Sequence, residues 1–142
     1  MKTVQQLLSA KGGQVHSVAP DTLVIEALKL MAERNIGALV VLEGARLAGI
    51  FSERDYARKV ILHGKSSADI PVREVMTSDV ITVEPSRTVE ECMALVTSKR
   101  IRHLPVAEGD RLVGVISIGD LVKEVIAEQE QTIKQLESYI HS

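Results

Sequence analysis

The pattern of apolar and polar residues along the chain predicts short strands alternating with amphipathic helices. Apolar runs of strand length, ALVVL with LAGIF and HLPVA with LVGVI, are separated in each pair by a Gly-containing turn, which predicts two β-hairpins. Amphipathic stretches at about 22–34 and 88–99 predict helices, the second with a capping box over 88–91. The predicted buried faces are Leu23, Ala27, Leu30 and Met31 in the first helix and Val89, Cys92, Met93 and Val96 in the second.

The chain contains an internal repeat. RLAGIFSERD at 46–55 and RLVGVISIGD at 111–120 both read Arg-Leu-x-Gly-x-x-Ser-x-x-Asp. Superposing Asp55 on Asp120 aligns about forty residues without a gap. Each copy begins with a β-rich run, VHSVAP or VITVEP, and ends with a helix after Ser-x-x-Asp. We therefore predict an α/β (α+β) fold of two β-α-β-β-α repeats that pack sheet to sheet, because one copy alone has a marginal core.

The two ends of the chain extend beyond the repeat. The predicted segments are an N-terminal helix and linker at 1–13, repeats at 14–65 and 66–128, and a C-terminal helical extension at 129–142. The extension carries Val122, Ile126, Gln129, Ile133, Leu136 and Ile140 at spacings of four and three. This spacing is typical of a helix packed on its own domain or of a helix pair in a homodimer.

Composition excludes several classes of protein. The 142 residues are 45% hydrophobic and 25% charged, with a net charge of −2 and only 2% aromatic residues, so a surface for nucleic acid or for an anionic membrane is disfavoured. No apolar stretch is long enough to suggest a signal peptide or a membrane helix. A single cysteine, Cys92, is expected to be buried and reduced, which suits the cytoplasm. The histidines have no ligand spacing, and no catalytic constellation is visible.

Each Ser-x-x-Asp element has two interpretations. A serine hydroxyl at a helix N-terminus favours an anion, and a fixed carboxylate one turn later can accept hydrogen bonds from a ribose diol; together they suit a nucleotide. Alternatively, Ser52 and Ser117 are N-caps, and Asp55 and Asp120 are favourable charges in the first helical turn.

The two repeats together resemble a tandem pair of CBS domains, also called a Bateman module. The resemblance is carried by VMTSDVITVEP, by IRHLPVAEGDRLVGVISIGDLV and by the first-copy stretch IGALVVLEGARLAGIFSERDYARKV. It covers nearly the whole chain and implies pseudo-twofold symmetry, with two clefts between the copies. It also implies an adenosine ligand (AMP, ADP, ATP, NAD or S-adenosylmethionine) and a homodimer.

The resemblance implies a residue set for each cleft. In the first cleft, Asp55 would bind ribose, Ser52 and Arg54 would bind phosphate, and the adenine would lie against Val75, Met76, Thr77 and the main chain of Arg102 and His103. In the second cleft, Ser117, Gly119 and Asp120 would face an adenine wall near Gly12, Gly13, Gly37 and Ala38. The side chains of Arg102 and His103 could reach phosphates in either cleft. The clefts differ, since Arg54 corresponds to Gly119, so we expect different affinity or phosphate number.

The resulting interpretation is a regulatory protein that senses adenine nucleotides, has no enzyme activity and no catalytic cofactor, and acts on an unidentified target protein. The alternative is an interaction protein with empty clefts that works through its dimer and its C-terminal helix. An enzyme that acts on nucleotides is the least favoured class.

Overall fold

The computed structural model describes residues 2–12 and 15–141. Five helices and five strands follow one another: α1 (Val4–Lys11), β1 (Ser17–Val18), α2 (Val24–Arg34), β2 (Ala38–Glu43), β3 (Arg46–Ser52), α3 (Glu53–Asp55), α4 (Val89–Lys99), β4 (His103–Glu108), β5 (Arg111–Ser117) and α5 (Ile118–His141). Helical turn α3 runs on into a π-helix at Tyr56–Ile61, and a 3-10 turn lies at Val72–Glu74. The order of elements confirms the predicted α/β class and the duplication.

The strands form one sheet in the order β1-β2-β3-β5-β4. Both predicted hairpins are present, and each turns through a glycine at positive φ, Gly44 at 65° and Gly109 at 62°. The two hairpins pair through Arg46 of β3 and Arg111 of β5. The predicted strand VITVEP is shorter than expected: Val83 alone bridges to Val106, which is the parallel pairing that β1 makes with β2.

Helices α2 and α4 occupy the predicted positions, with one difference at the start of α2. The N-cap of helix α4 is Thr88, whose side chain forms the predicted capping box with Glu91. The N-cap of helix α2 is Leu23, whose side chain makes no capping bond and which is 38% exposed. The sequence pattern predicted Leu23 to be buried, but Val24 is buried instead. The reason is that Leu23 lies at the N-cap, before the helical face begins.

The hydrophobic core consists of two clusters, one for each copy. The cluster of the second copy includes Cys92, which is fully buried as predicted, and burial raises the pKa of its thiol. That cluster also contains Val4, Leu7 and Leu8 of α1. The cluster of the first copy contains Ile70, Val72 and Val75, which precede the first strand residue of the second copy, Val83. Each core is therefore completed by the segment that precedes the first strand of the other copy.

Candidate functional site

Both Ser-x-x-Asp elements cap the helix that follows them. In the first copy, Ser52 Oγ accepts a hydrogen bond from the Asp55 N–H at 3.2 Å, and Asp55 Oδ2 accepts one from the Ser52 N–H at 3.0 Å. In the second copy, the bond to Ser117 Oγ is 3.1 Å and the bond to Asp120 Oδ2 is 2.9 Å. The N-cap interpretation therefore describes both elements, and it fixes the position of both carboxylates.

Asp55 is a buried residue whose side chain bonds to groups of both copies. Only 8% of the residue is exposed. Its Oδ1 accepts a hydrogen bond from Thr77 Oγ1 at 3.2 Å and lies 3.1 Å from Lys59 Nζ. Its Oδ2 accepts a hydrogen bond from the Ser52 hydroxyl. Thr77 and Ile50 exchange two main-chain hydrogen bonds of 2.8 and 2.9 Å, which hold the start of the second copy against β3.

The first cleft is a cavity of about 1130 Å³ between the copies. Of the residues predicted for it, Ser52, Arg54, Asp55, Thr77, Arg102 and His103 line the cavity. Val75 and Met76 do not: Val75 is buried in the first-copy core, against which Met76 also packs. The Val75 carbonyl oxygen accepts a hydrogen bond from Lys59 Nζ at 3.0 Å.

The first cleft is strongly cationic. Six basic residues line it against two acidic ones, Glu53 and Asp55. Arg54 and Arg102 were predicted as site residues; the four that the sequence interpretation missed are Arg58, Lys59, Lys99 and Arg100. Two sequence signals could have indicated them: Arg54 and Arg58 are one helical turn apart, and KRIR at 99–102 concentrates charge. A net positive charge in a recessed site attracts polyanions.

Arg100 lines this cleft from an unusual backbone conformation. Its φ is 55°, in the left-handed region, at the C-cap of α4. Asn35 has the same φ at the C-cap of α2, and asparagine tolerates this region better than most residues. An arginine here costs roughly 1–2 kcal/mol relative to a glycine.

The second cleft is smaller and has a different charge. Of the residues predicted for it, Gly37, Ala38 and Ser117 line its cavity of about 350 Å³, together with apolar side chains. Among the described residues that line it, none is Lys or Arg, and the only basic side chains are His16 and His103. Gly12, Gly119 and Asp120 lie outside this lining, and Gly13 is outside the described residues.

Asp120, which is hydrogen-bonded to Ser117 of the second-cleft lining, is paired within the chain. Lys11 Nζ lies 2.6 Å from its Oδ2. Burial raises the pKa of Asp120, but the hydrogen bonds from Lys11 and Ser117 and the charge of Lys11 outweigh burial, so the pKa is lowered. The carboxylate is therefore ionised at neutral pH.

His103 lies between the clefts and lines both of them. Burial and then the positive charges of Lys11 and Arg102 lower the pKa of its imidazole, against the raising effects of Asp120 and Glu53. The imidazole is therefore neutral at neutral pH, able to donate one hydrogen bond and to accept one.

Two further features are absent from the described part of the chain. Within residues 2–12 and 15–141, no cluster of three or more His, Cys, Asp or Glu side chains is placed to hold a metal ion. No helix in the same ranges is both long and apolar enough to cross a membrane.

Several known proteins are similar to this chain in sequence and in structure. The Arabidopsis thaliana "CBS domain-containing protein CBSX3, mitochondrial" is 42% identical over 137 residues, which are 93% of this chain and 66% of that protein, so the chain spans slightly less than two thirds of it. The solved structure of a protein with CBS domains from Burkholderia ambifaria is 53% identical, has a TM-score of 0.86, and covers 90% of this chain and 96% of its own. The CBS domain pair of protein MJ0100, solved in complex with 5′-methylthioadenosine and S-adenosyl-L-methionine, shares the fold at 22% identity, with a TM-score of 0.80 over 90% of this chain and 98% of that one.

The family model of the CBS domain matches the chain twice, at residues 12–62 and 72–127. The two matches coincide with the two repeats and with the paired Ser-x-x-Asp elements that face the clefts. The chain belongs to the CBS domain family and carries a tandem pair of CBS domains.

Proposed function

We propose that this chain is a regulatory protein that binds an adenine nucleotide in its first cleft. Pairs of CBS domains are generally regulatory and bind ligands, and one structural neighbour holds two adenosine compounds. The observation that carries the proposal is the cluster of six basic side chains around Asp55 and Thr77 in the 1130 Å³ cavity. Its role is recognition, and we assign it no catalytic step.

The charge of the cleft selects among adenosine compounds. Arginine guanidinium groups form paired hydrogen bonds with phosphate oxygens, and Arg54, Arg58, Arg100 and Arg102 all line the cavity. A triphosphate gains more from these groups than a monophosphate. The sulfonium of S-adenosylmethionine carries a positive charge, which the same groups repel. The preferred ligands are therefore ATP, ADP and NAD rather than S-adenosylmethionine.

Asp55 and Lys59 exchange partners in this proposal. The oxygens of Asp55 already accept bonds from Ser52, Thr77 and Lys59. A ribose diol that bonds to Asp55 displaces Lys59, which is the one charged partner and has a flexible side chain. The released ammonium is then free to meet a phosphate. In the bound state, Asp55 thus binds the ribose and Lys59 binds a phosphate.

Ligand binding couples the two copies. Ser52, Arg54 and Asp55 belong to the first copy, whereas Lys99, Arg100 and Arg102 belong to the second. A nucleotide that contacts both groups stabilises one relative placement of the copies, and a target protein can read that placement. The size of the response equals the difference in ligand affinity between the two placements. A reducing compartment such as the cytoplasm suits this role, since Cys92 is a buried thiol.

Calorimetric titration of the purified protein with ATP, ADP, AMP, NAD and S-adenosylmethionine tests the proposal. We expect affinity to fall from ATP to AMP, with S-adenosylmethionine weakest. Arg58→Ala and Arg100→Ala should each weaken ATP binding roughly tenfold, as for loss of one hydrogen bond to a charged group. Lys123→Ala is the matched control, because Lys123 is the second-copy counterpart of Arg58 and lies outside the cleft lining. Absence of binding by all five ligands contradicts the proposal.

A second candidate function, protein interaction through the C-terminal helix, is favoured by the apolar surface of α5. Ile126, Ile133, Leu136 and Ile140 are all at least half exposed on it. In this alternative the chain forms a homodimer or a scaffold, and the clefts need no ligand. The same titrations separate the candidates, since a pure scaffold binds none of the five compounds.

A further inference from the structure

Lys11 lies outside the repeats and bonds to two residues beside the second cleft, Val115 of its lining and the neighbouring Asp120. It is the last residue of α1 and the only basic residue in that helix. Its ammonium donates to Asp120 Oδ2 at 2.6 Å and to the Val115 carbonyl oxygen at 3.0 Å. One side chain therefore joins the end of α1 to β5 and to the first turn of α5.

The first cleft makes the corresponding bonds with different groups. Ile50 and Asp55 are the counterparts of Val115 and Asp120. The Ile50 carbonyl oxygen accepts from the Thr77 N–H at 2.8 Å, and Asp55 accepts from the Thr77 hydroxyl at 3.2 Å. The counterpart of Thr77 in the alignment is Gly12, which has no hydroxyl.

The lysine ammonium thus takes the place of a main-chain N–H and a neutral hydroxyl. Asp55 also pairs with an ammonium, that of Lys59 at 3.1 Å, but Lys59 belongs to the same copy as Asp55, whereas the Lys11 ion pair of 2.6 Å ties Asp120 to α1. The counterpart of Lys11 at the first cleft is Met76, which packs on the core. The arrangement is therefore particular to the second cleft.

We propose that Lys11 is a latch on the second cleft, displaced whenever a ligand hydroxyl binds Asp120. This inference rests on the proposed adenosine ligand. The latch lowers the affinity of the second cleft, because the ligand must break the Lys11–Asp120 ion pair. Displacement also removes the polar bonds from the end of α1 to β5 and α5, while α1 stays held by the packing of Leu7 and Leu8 and by the main-chain bonds of Val4 to Arg87 and of Val89 to Lys2. Ligand binding in the second cleft therefore changes the contacts of the N-terminal helix α1.

The test is a site-resolved NMR titration of the full chain. Adenosine is the probe for the second cleft, because it has the ribose diol and no phosphate for Lys11 to attract. Amide shifts of Gly119 and Asp120 report the second cleft, and those of Arg54 and Thr77 report the first. ATP is titrated in parallel to test the first cleft. Lys11→Met removes the ammonium and keeps the length of the side chain.

Lys2→Met is the matched control. Lys2 also joins the N-terminal segment to α5, through Glu124 at 3.1 Å, but it does not touch Asp120. We expect Lys11→Met to tighten adenosine binding at the second cleft roughly fivefold, as for a partly exposed ion pair, and Lys2→Met to leave it unchanged. Without ligand, the Asp120 pKa should rise in Lys11→Met alone.

Unchanged or weaker adenosine binding at Gly119 and Asp120 in Lys11→Met overturns the latch. An equal gain in Lys2→Met also overturns it, because general loosening of α1 would then explain the effect. If ATP still shifts the first-cleft amides, the proposed function stands while the latch fails. If neither ligand shifts any of the four amides, the proposed function fails, and the latch fails with it.

Discussion

The glycine of the repeated motif marks a close approach in each copy. A Cβ atom built on Gly49 would lie 2.7 Å from the Thr77 carbonyl oxygen and 2.7 Å from the sulfur of Met76. A Cβ atom on Gly114 would lie 2.7 Å from a terminal carbon of Leu8. The first contact is with main chain, which is fixed by two hydrogen bonds to Ile50, whereas the second is with the end of a flexible side chain.

Alanine should therefore be tolerated differently at the two glycines. We expect Gly49→Ala to lower the free energy of unfolding by about 1–3 kcal/mol, because the Thr77 segment has to move away from β3. Gly114→Ala should cost less, since Leu8 can change rotamer. Urea unfolding of both variants gives the comparison. Equal losses, or a larger loss for Gly114→Ala, would contradict this account of the motif.

Sequence reasoning located the carboxylates but could not identify most of their partners. The motif Ser-x-x-Asp predicts its own capping bonds, because those bonds are local. The family resemblance placed Thr77 in the adenine wall of the first cleft but did not predict its bond to Asp55, and Lys11 was not expected at Asp120 at all. Lys11 and Asp120 are 109 residues apart, and the path that joins them depends on how α1 packs on the second core. No local pattern encodes that distance.

At the scale of elements, the π-helix explains a difference between the copies. Tyr56–Ile61 is π-helical, with an i→i−5 bond from Leu62 to Ala57 of 3.2 Å, whereas the corresponding part of α5 is regular α-helix. Such segments are rare and often lie at functional sites. This one carries Arg58 and Lys59 into the first cleft. The sequence predicted a helix here but gave no sign of its type, since the bonding depends on the surrounding packing.

Helices α2 and α4 provide a direct test of capping. Thr88 caps α4, and its counterpart Leu23 leaves α2 without a side-chain cap. Glu26 already lies three residues after Leu23, so Leu23→Thr completes the capping box. We expect a gain of roughly 1 kcal/mol in unfolding free energy, and a similar loss for Thr88→Ala. Chemical denaturation measures both, and no gain in Leu23→Thr would show that the exposed leucine contributes packing that the cap does not replace.

For the whole molecule, the exchange of segments between cores was hidden from sequence. The repeat predicts two similar units, and the fold class follows from it. The sequence also predicts a capped N-terminal helix, and α1 is present with Thr3 as its N-cap. The sequence does not indicate which core α1 packs against, because Val4, Leu7 and Leu8 are apolar residues that suit either core. Packing α1 on the far copy ties the ends of the chain together and brings Lys11 to the second cleft.

The far half of α5 gives the last prediction, which concerns self-association. Ile133 is 54% exposed and Leu136 is 58% exposed, at the spacing of a coiled-coil seam. Burying each against a second copy is worth roughly 1.5–3 kcal/mol, so two chains gain from pairing these helices. We expect the wild type to sediment as a dimer and Ile133→Glu with Leu136→Glu to sediment as a monomer. Lys134→Glu, between them on the polar side of the helix, should remain a dimer. A monomeric wild type would contradict the dimer. A double variant that stays dimeric would show that the dimer interface lies elsewhere.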